Sequence, residues 1–186
     1  MSQKRHAVII LAPGFEETEA VTVIDVLRRA EIEVTVAGLD GDGTVCGSHN
    51  LSVTVDRHLP DIDPETIDLL VLPGGMPGAQ YLADSRIVKQ TIRQVYENDR
   101  LVAAICAAPI VLHAAGIIDG KKVTSYPSFR EKLTGAVPTD SRVEHDGNVI
   151  TSQGPGTALL FALELVRALG MPEKAEELQQ AMLIMA

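Results

Sequence analysis

Leu101-Val-Ala-Ala-Ile-Cys106-Ala-Ala-Pro109 is an apolar run that ends on a cysteine, followed by two alanines and a proline. Short apolar runs of this kind read as buried strands, and proline is tolerated in the first turn of a helix. Residues 110–115 are again largely apolar. The pattern predicts strand, sharp turn and helix, with Cys106 at the turn. The first N–H groups of a helix have no partner within it, and its dipole favours negative charge there. A thiol so placed is expected to lose its proton more easily, and the thiolate is the reactive form of cysteine. Small neighbours at Ala107 and Ala108 leave room for the backbone to turn and for a small molecule to approach. The nucleophile elbow of hydrolases follows the same logic, with serine in place of cysteine. Free cysteine is also among the most buried residue types, so this stretch alone leaves a structural role equally open.

Outward from this stretch, strand-like and helix-like segments alternate. Residues 67–72 form an apolar run ending in Pro73-Gly74-Gly75, and residues 85–98 are amphipathic, with Ile87, Val88, Ile92 and Val95 on one face. Further upstream, residues 7–12 read as a first buried strand. Pro13-Gly14 marks a turn, and Phe15-Glu-Glu-Thr-Glu19 opens a helix whose apolar positions include Val23, Val26 and Leu27. That helix should end near the cations Arg28 and Arg29. Residues 34–37 read as a second strand, 40–43 as a loop, 45–55 as one or two short strands and 59–66 as a connection. Downstream, a loop is expected over 116–120, a short strand from Val123, and a turn or short helix at 126–129. A hairpin is expected over 142–151 with Asp146-Gly147 at its tip. Gly154-Pro-Gly156-Thr157 precedes an apolar helix over 158–169, and a last helix is expected over 173–185. With no repeat, linker or low-complexity tract, residues 1–186 read as a single domain.

Strands that are apolar throughout, alternating with helices, imply an α/β fold: a mostly parallel sheet covered on both faces. In such sheets ligands sit outside the carboxyl ends of the strands. Three loops should therefore meet on one rim: residues 13–19, residues 73–75 and Cys106. They bring carboxylates, close-approaching backbone amides and a thiol together.

Length suits one domain with a substantial core. The formal net charge of −9 argues against a nucleic-acid surface, which needs a basic stripe. Two cysteines far apart make neither a disulfide framework nor a zinc site. No apolar run approaches the roughly 20 residues of a membrane span. The first residues show no secretory pattern, so a cytoplasmic setting is expected, without membrane or nucleic-acid partners.

Glu19 could be the acid–base partner of Cys106, since a carboxyl buried beside a thiolate has its pKa raised. An acid in the first turn of a helix more commonly serves the dipole, and nothing in the residues separates Glu19 from Glu16 or Glu17. Gly74 and Gly75 could present N–H groups to a developing oxyanion or form a plain tight turn. The Gly154–Gly156 segment reads rather as a helix entry. No histidine is well placed as a general base. His113 lies two helical turns past Cys106, about 11 Å of rise, His6 belongs at the opposite end of the sheet, His145 lies in the hairpin, and His49 and His58 lie in irregular segments. No metal-ligand spacing is evident, and Cys46 reads as an incidental or structural thiol.

Four stretches in register are highly specific when taken together. Ala12-Pro-Gly-Phe-Glu-Glu-Thr-Glu19, Leu72-Pro-Gly-Gly75, Ala103-Ala-Ile-Cys106-Ala-Ala-Pro109 and Thr151-Ser-Gln-Gly-Pro-Gly-Thr157 resemble the DJ-1/ThiJ/PfpI superfamily, in its DJ-1-like branch and most closely its bacterial members. The resemblance spans essentially the whole chain and implies a flavodoxin-like three-layer sandwich, normally a homodimer. It implies that Cys106 is the reactive cysteine, that Glu19 is the buried acid hydrogen-bonded to it, and that Gly74, Gly75 and Ala107 surround the reacting oxygen. Glu16 and Tyr126 then belong to the substrate pocket. Three places depart from the family pattern, one of them around Ser48 and His49, which differ from a basic position that the family's namesake uses near its dimer interface. Tyr126 stands where the family's namesake has histidine, although bacterial relatives can carry an aromatic there. Ala107 stands where the protease-like branch has histidine. Peptidase activity is therefore not expected. The resemblance implies a glyoxalase- or deglycase-type enzyme that needs no cofactor or metal and acts on methylglyoxal, related dicarbonyls or early glycation adducts. The alternative is an oxidative-stress protein working by oxidation of Cys106 to sulfinic acid.

Overall fold

The computed structural model describes residues 4–39, 41 and 43–185. Among them the elements run β1 (His6–Leu11), α1 (Glu17–Arg29), β2 (Glu33–Gly38), β3 (Gly43–Cys46), β4 (Ser52–Val55), β5 (Arg57–His58), β6 (Leu69–Leu72), α2 (Gly78–Asp84), α3 (Arg86–Glu97), β7 (Leu101–Ile105), α4 (Pro109–Ala115), β8 (Lys122–Val123), β9 (Val137–Pro138), β10 (Val143–Asp146), β11 (Val149–Ser152), α5 (Ala158–Ala168) and α6 (Pro172–Ala181). The expected loop at 40–43 falls partly outside the described residues.

The main sheet has the order β10-β11-β7-β6-β1-β2-β5. Every pairing in it is parallel except that of β10 with β11. The strands alternate their side chains between two apolar layers. Val8, Ile10, Leu70, Leu72, Val102 and Ala104 pack with Val88, Ile92 and Leu112 of α3 and α4. Ile9, Leu11, Leu69, Val71, Ala103 and Ile105 pack with Val23, Leu27 and Phe161 of α1 and α5. The result is the flavodoxin-like three-layer α/β arrangement expected from strands buried on both faces.

The chain runs outward from β1 to β2 on one side and from β6 to β7 on the other. The topological switch point therefore lies between β1 and β6, where open α/β sheets bind ligands. The loops after β1, β6 and β7 converge there. Ser85 ends α2 and caps α3, accepting the Val88 N–H at 3.4 Å. Two helices differ from expectation. α2 was not foreseen, and α6 stops at Ala181 rather than reaching residue 185, with Leu183 left-handed at φ 56° just beyond. Among the described residues, no helix is long and apolar enough to cross a membrane.

Candidate functional site

Cys106 occupies the turn between β7 and α4 with φ 64°, a region uncommon for a residue other than glycine. Two backbone hydrogen bonds hold it there. Its N–H donates to Ser152 O at 2.9 Å, and its carbonyl accepts the Tyr126 N–H at 2.9 Å. The left-handed backbone turns the side chain out of the strand's alternation, and the cysteine is partly buried.

Glu19, on the first turn of α1, is fully buried. Its Oε2 accepts the Gly74 N–H at 2.7 Å, while Oε1 has no hydrogen-bond partner among the described residues. Gly74 lies between the two reactive groups. A Cβ there would sit 2.6 Å from Cys106 Cβ and 2.8 Å from Glu19 Oε2, so the close approach depends on glycine. Gly75 has φ 89°, and a Cβ on it would lie 2.4 Å from the backbone nitrogen of Glu16. The backbone N–H groups of Ala107 and Gly75 both bear on the Cys106 sulfur.

The electrostatics reverse one expectation. Burial pushes the thiol up to about 12, and the adjacent Glu19 carboxylate reinforces this against the small opposing effect of the two amides. The expected acidification by a helix N-terminus does not prevail; α4 is only seven residues long, and desolvation with a neighbouring anion outweighs it. Burial likewise pushes the Glu19 carboxyl up to about 7, with a smaller upward push from Glu16, against the Gly74 hydrogen bond and the Cys106 thiol. A buried carboxyl with one oxygen unpaired is costly as an anion and stable as an acid. The two groups titrate as a pair that holds one proton between about pH 7 and 12.

The three first-turn acids, inseparable in sequence, have three environments. Glu16 is the N-cap of α1, its Oε2 accepting the Glu19 N–H at 2.7 Å. Glu17 is buried against the β3–β4 turn and accepts from His49 N (2.6 Å), His49 Nδ1 (2.9 Å), Ser48 Oγ (3.2 Å) and Leu51 N (3.4 Å). Desolvation acts to raise the Glu17 carboxyl, but these donors hold it down at about 2, and the same contact raises His49. This clamp was not foreseen. It joins residues 32 positions apart, and no local pattern reports it. Glu16, Glu17 and His49 stand close enough to share a cation, yet Glu16 and Glu17 are already engaged by N–H and O–H donors, so the arrangement serves as a clamp rather than a metal centre.

The hydrogen-bond partners of the other histidines, among the described residues, do not include Cys106. His6 binds Thr66 O and Thr35 Oγ1 at the amino end of the sheet, beside a cleft of about 460 Å³. His113 contacts Thr134, and His145 contacts Glu164. Cys46 is exposed at the end of β3, and its carbonyl accepts the Gly14 N–H at 2.8 Å. Tyr126 is half-exposed beside Cys106.

Residues 5–168 match the model of the DJ-1/PfpI family. The chain is 42% identical over 182 residues to Protein dj-1beta of Drosophila melanogaster, covering 97% of each. The crystal structure of that protein superposes with a TM-score of 0.94 over 99% of this chain and 100% of that one. This chain is also 35% identical over 181 residues to the glutathione-independent glyoxalase DJR-1.2 of Caenorhabditis elegans, covering 96% of each. The structure described as oxidized Toxoplasma gondii DJ-1 is 34% identical and superposes with a TM-score of 0.92, covering 96% of this chain and 98% of that one. With the converging loops, the turn cysteine and the buried acid, these likenesses establish that the chain belongs to the DJ-1/PfpI family.

Proposed function

We propose that this protein is a cofactor-independent glyoxalase acting on small α-oxoaldehydes such as methylglyoxal, with early glycation adducts as related substrates. The observation that carries the reading is the buried Glu19 carboxyl beside Cys106, with the Gly75 and Ala107 amides at the sulfur. The glyoxalase likeness at 35% identity adds to it.

Cys106 sulfur attacks the aldehyde carbon. The C–S bond forms as the S–H proton passes to the Glu19 carboxylate, and the carbonyl π electrons move to oxygen. The N–H groups of Gly75 and Ala107 hold that oxyanion, which takes the proton back from Glu19 to give a neutral hemithioacetal. Glu19, ionised again, removes the C1 proton and returns it at C2 while the O1–H proton passes to the C2 oxygen, so a hydroxyacyl thioester results without net redox change. Water cleaves the thioester, releasing a 2-hydroxy acid and the thiol. A general base serves best with a pKa near the working pH, which suits Glu19 at about 7. Methylglyoxal should give lactate without glutathione, and full turnover by Cys106→Ser would falsify the reading.

A second reading is an oxidative-stress role in which Cys106 is oxidised to sulfinic acid. It is favoured by the partial exposure of Cys106 and by the oxidized state named for the Toxoplasma relative. Mild peroxide should add two oxygens to wild type and to Cys46→Ser but not to Cys106→Ser; intact mass showing no such adduct would remove this reading. We further propose a single-domain homodimer in the cytoplasm. Exposed Val21 and Leu51, on α1 and on the turn clamped to it, supply apolar surface for association. Sedimentation at one protomer's mass would contradict the dimer.

A further inference from the structure

Cys106 keeps a left-handed backbone at φ 64°, a conformation that persists at a residue other than glycine only where the surroundings impose it. Its N–H donates to Ser152 O at 2.9 Å. Ser152 is the last residue of β11, and the turn that follows leads through Gly154 and Thr157 into α5. Ser152 Oγ donates its proton to Arg142 O at 2.7 Å. The Thr157 hydroxyl proton is therefore the one left for two neighbouring acceptors, Ser152 Oγ at 2.7 Å and Gly154 O at 2.8 Å. Thr157 Oγ1 also accepts the Gly154 N–H at 3.1 Å. Ser152, Gly154 and Thr157 are all buried.

Thr157 occupies the N-cap of α5, where a threonine hydroxyl ordinarily accepts an N–H of the first helical turn. Here it makes no such bond. The hydroxyl turns back instead to the strand end that holds Cys106. We propose that Thr157 is a positioning residue for the nucleophile: through Ser152, its hydroxyl holds Cys106 in the left-handed turn, against Glu19 and the Gly75 and Ala107 amides. This rests on the Cys106 chemistry proposed above. Valine keeps the shape of threonine but removes its donor and acceptor together, leaving the buried Gly154 N–H and Ser152 Oγ short of partners. Serine keeps both. Without the brace the turn relaxes, and the sulfur moves away from Glu19 toward water. It then meets the catalytic carboxyl less often and ionises more easily. Turnover and simple alkylation therefore change in opposite directions.

The test compares Thr157→Val, Thr157→Ser and Ile92→Val, a core change on α3, with the parent protein, all carrying Cys46→Ser so that one thiol reports. The readouts are kcat and KM for lactate from methylglyoxal, and the rate of Cys106 alkylation by iodoacetamide at pH 8, read by intact mass. Thr157→Val should lose roughly 10-fold or more in kcat with KM near the parent value, and should be alkylated roughly 3- to 10-fold faster. Thr157→Ser and Ile92→Val should stay near the parent in both. Thr157→Val with parental rates, slower turnover without faster alkylation, a Thr157→Ser as impaired as Thr157→Val, or the same changes in Ile92→Val would each overturn the proposal. If Thr157→Val does not fold, Ser152→Ala decides, since it removes the hydroxyl partner and keeps the carbonyl: the opposed changes support the proposal, and parental behaviour overturns it. If the parent yields no lactate, the enzymatic reading fails and the alkylation rates decide the positioning role alone. Faster alkylation in Thr157→Val but not in Thr157→Ser supports it, and equal rates overturn it.

Discussion

At the scale of single residues, Glu19 and Glu17 lie two positions apart and obey opposite electrostatics. Glu19 is buried with an unpaired oxygen and pushed up to about 7; Glu17 is buried against four donors and held at about 2. Their linkage to stability has opposite sign. A carboxyl raised above its ordinary value of 4.5 favours the fold below that pH and loses the contribution as pH rises through 7. A carboxyl depressed to about 2 favours the fold above 4.5 and loses the contribution as pH falls toward 2. Glu19→Gln should therefore gain stability relative to wild type between pH 5 and 8, whereas Glu17→Gln should lose stability at neutral pH and lose progressively less toward pH 2. Urea melts at a series of pH values check both, and parallel curves for the two variants would contradict the assignment. The sequence shows three equivalent acids at 16, 17 and 19. Partners 31 to 55 positions away set Glu17 and Glu19 apart, and no local pattern carries that information.

At the scale of elements, the junction of β7 with α4 was legible because each signal is local: an apolar run, small residues and a proline at the first helical position. The acid–base state of its cysteine was not, because α1 and the Gly74 turn impose it from other parts of the chain. α2 leaves no legible signal for a different reason. Its seven residues begin at a glycine and are too few to display a helical period. The turn after β6 is the least forgiving element of the site. Gly75→Ala adds a Cβ to a backbone at φ 89° and sets it 2.4 Å from another backbone nitrogen. It should cost at least about 2 kcal/mol of stability and displace the amide that faces the sulfur. Denaturant titration with a parallel activity assay checks this; a variant of wild-type stability would show that the turn adapts.

At the scale of the whole molecule, strands apolar on both faces dictated a covered parallel sheet, and the switch point between β1 and β6 gathered the three loops on one rim. That much follows from pattern and topology rules. The sheet's antiparallel edge at β10 and β11 was also readable, from the Asp146-Gly147 hairpin signal. The far edge, where β5 joins with two residues, leaves no such signal. The fold thus brings a half-buried thiol and a buried carboxyl together on the rim where open α/β sheets bind ligands. The most direct measurement is kcat/KM for glutathione-free conversion of methylglyoxal to lactate from pH 5 to 9, for wild type and Glu19→Gln. Wild type should rise with pH through a midpoint near 7 as Glu19 ionises, and Glu19→Gln should fall about 100-fold or more and lose that step. A Glu19→Gln enzyme that keeps the wild-type rate, or the same step near 7, would contradict the role of Glu19 as the base.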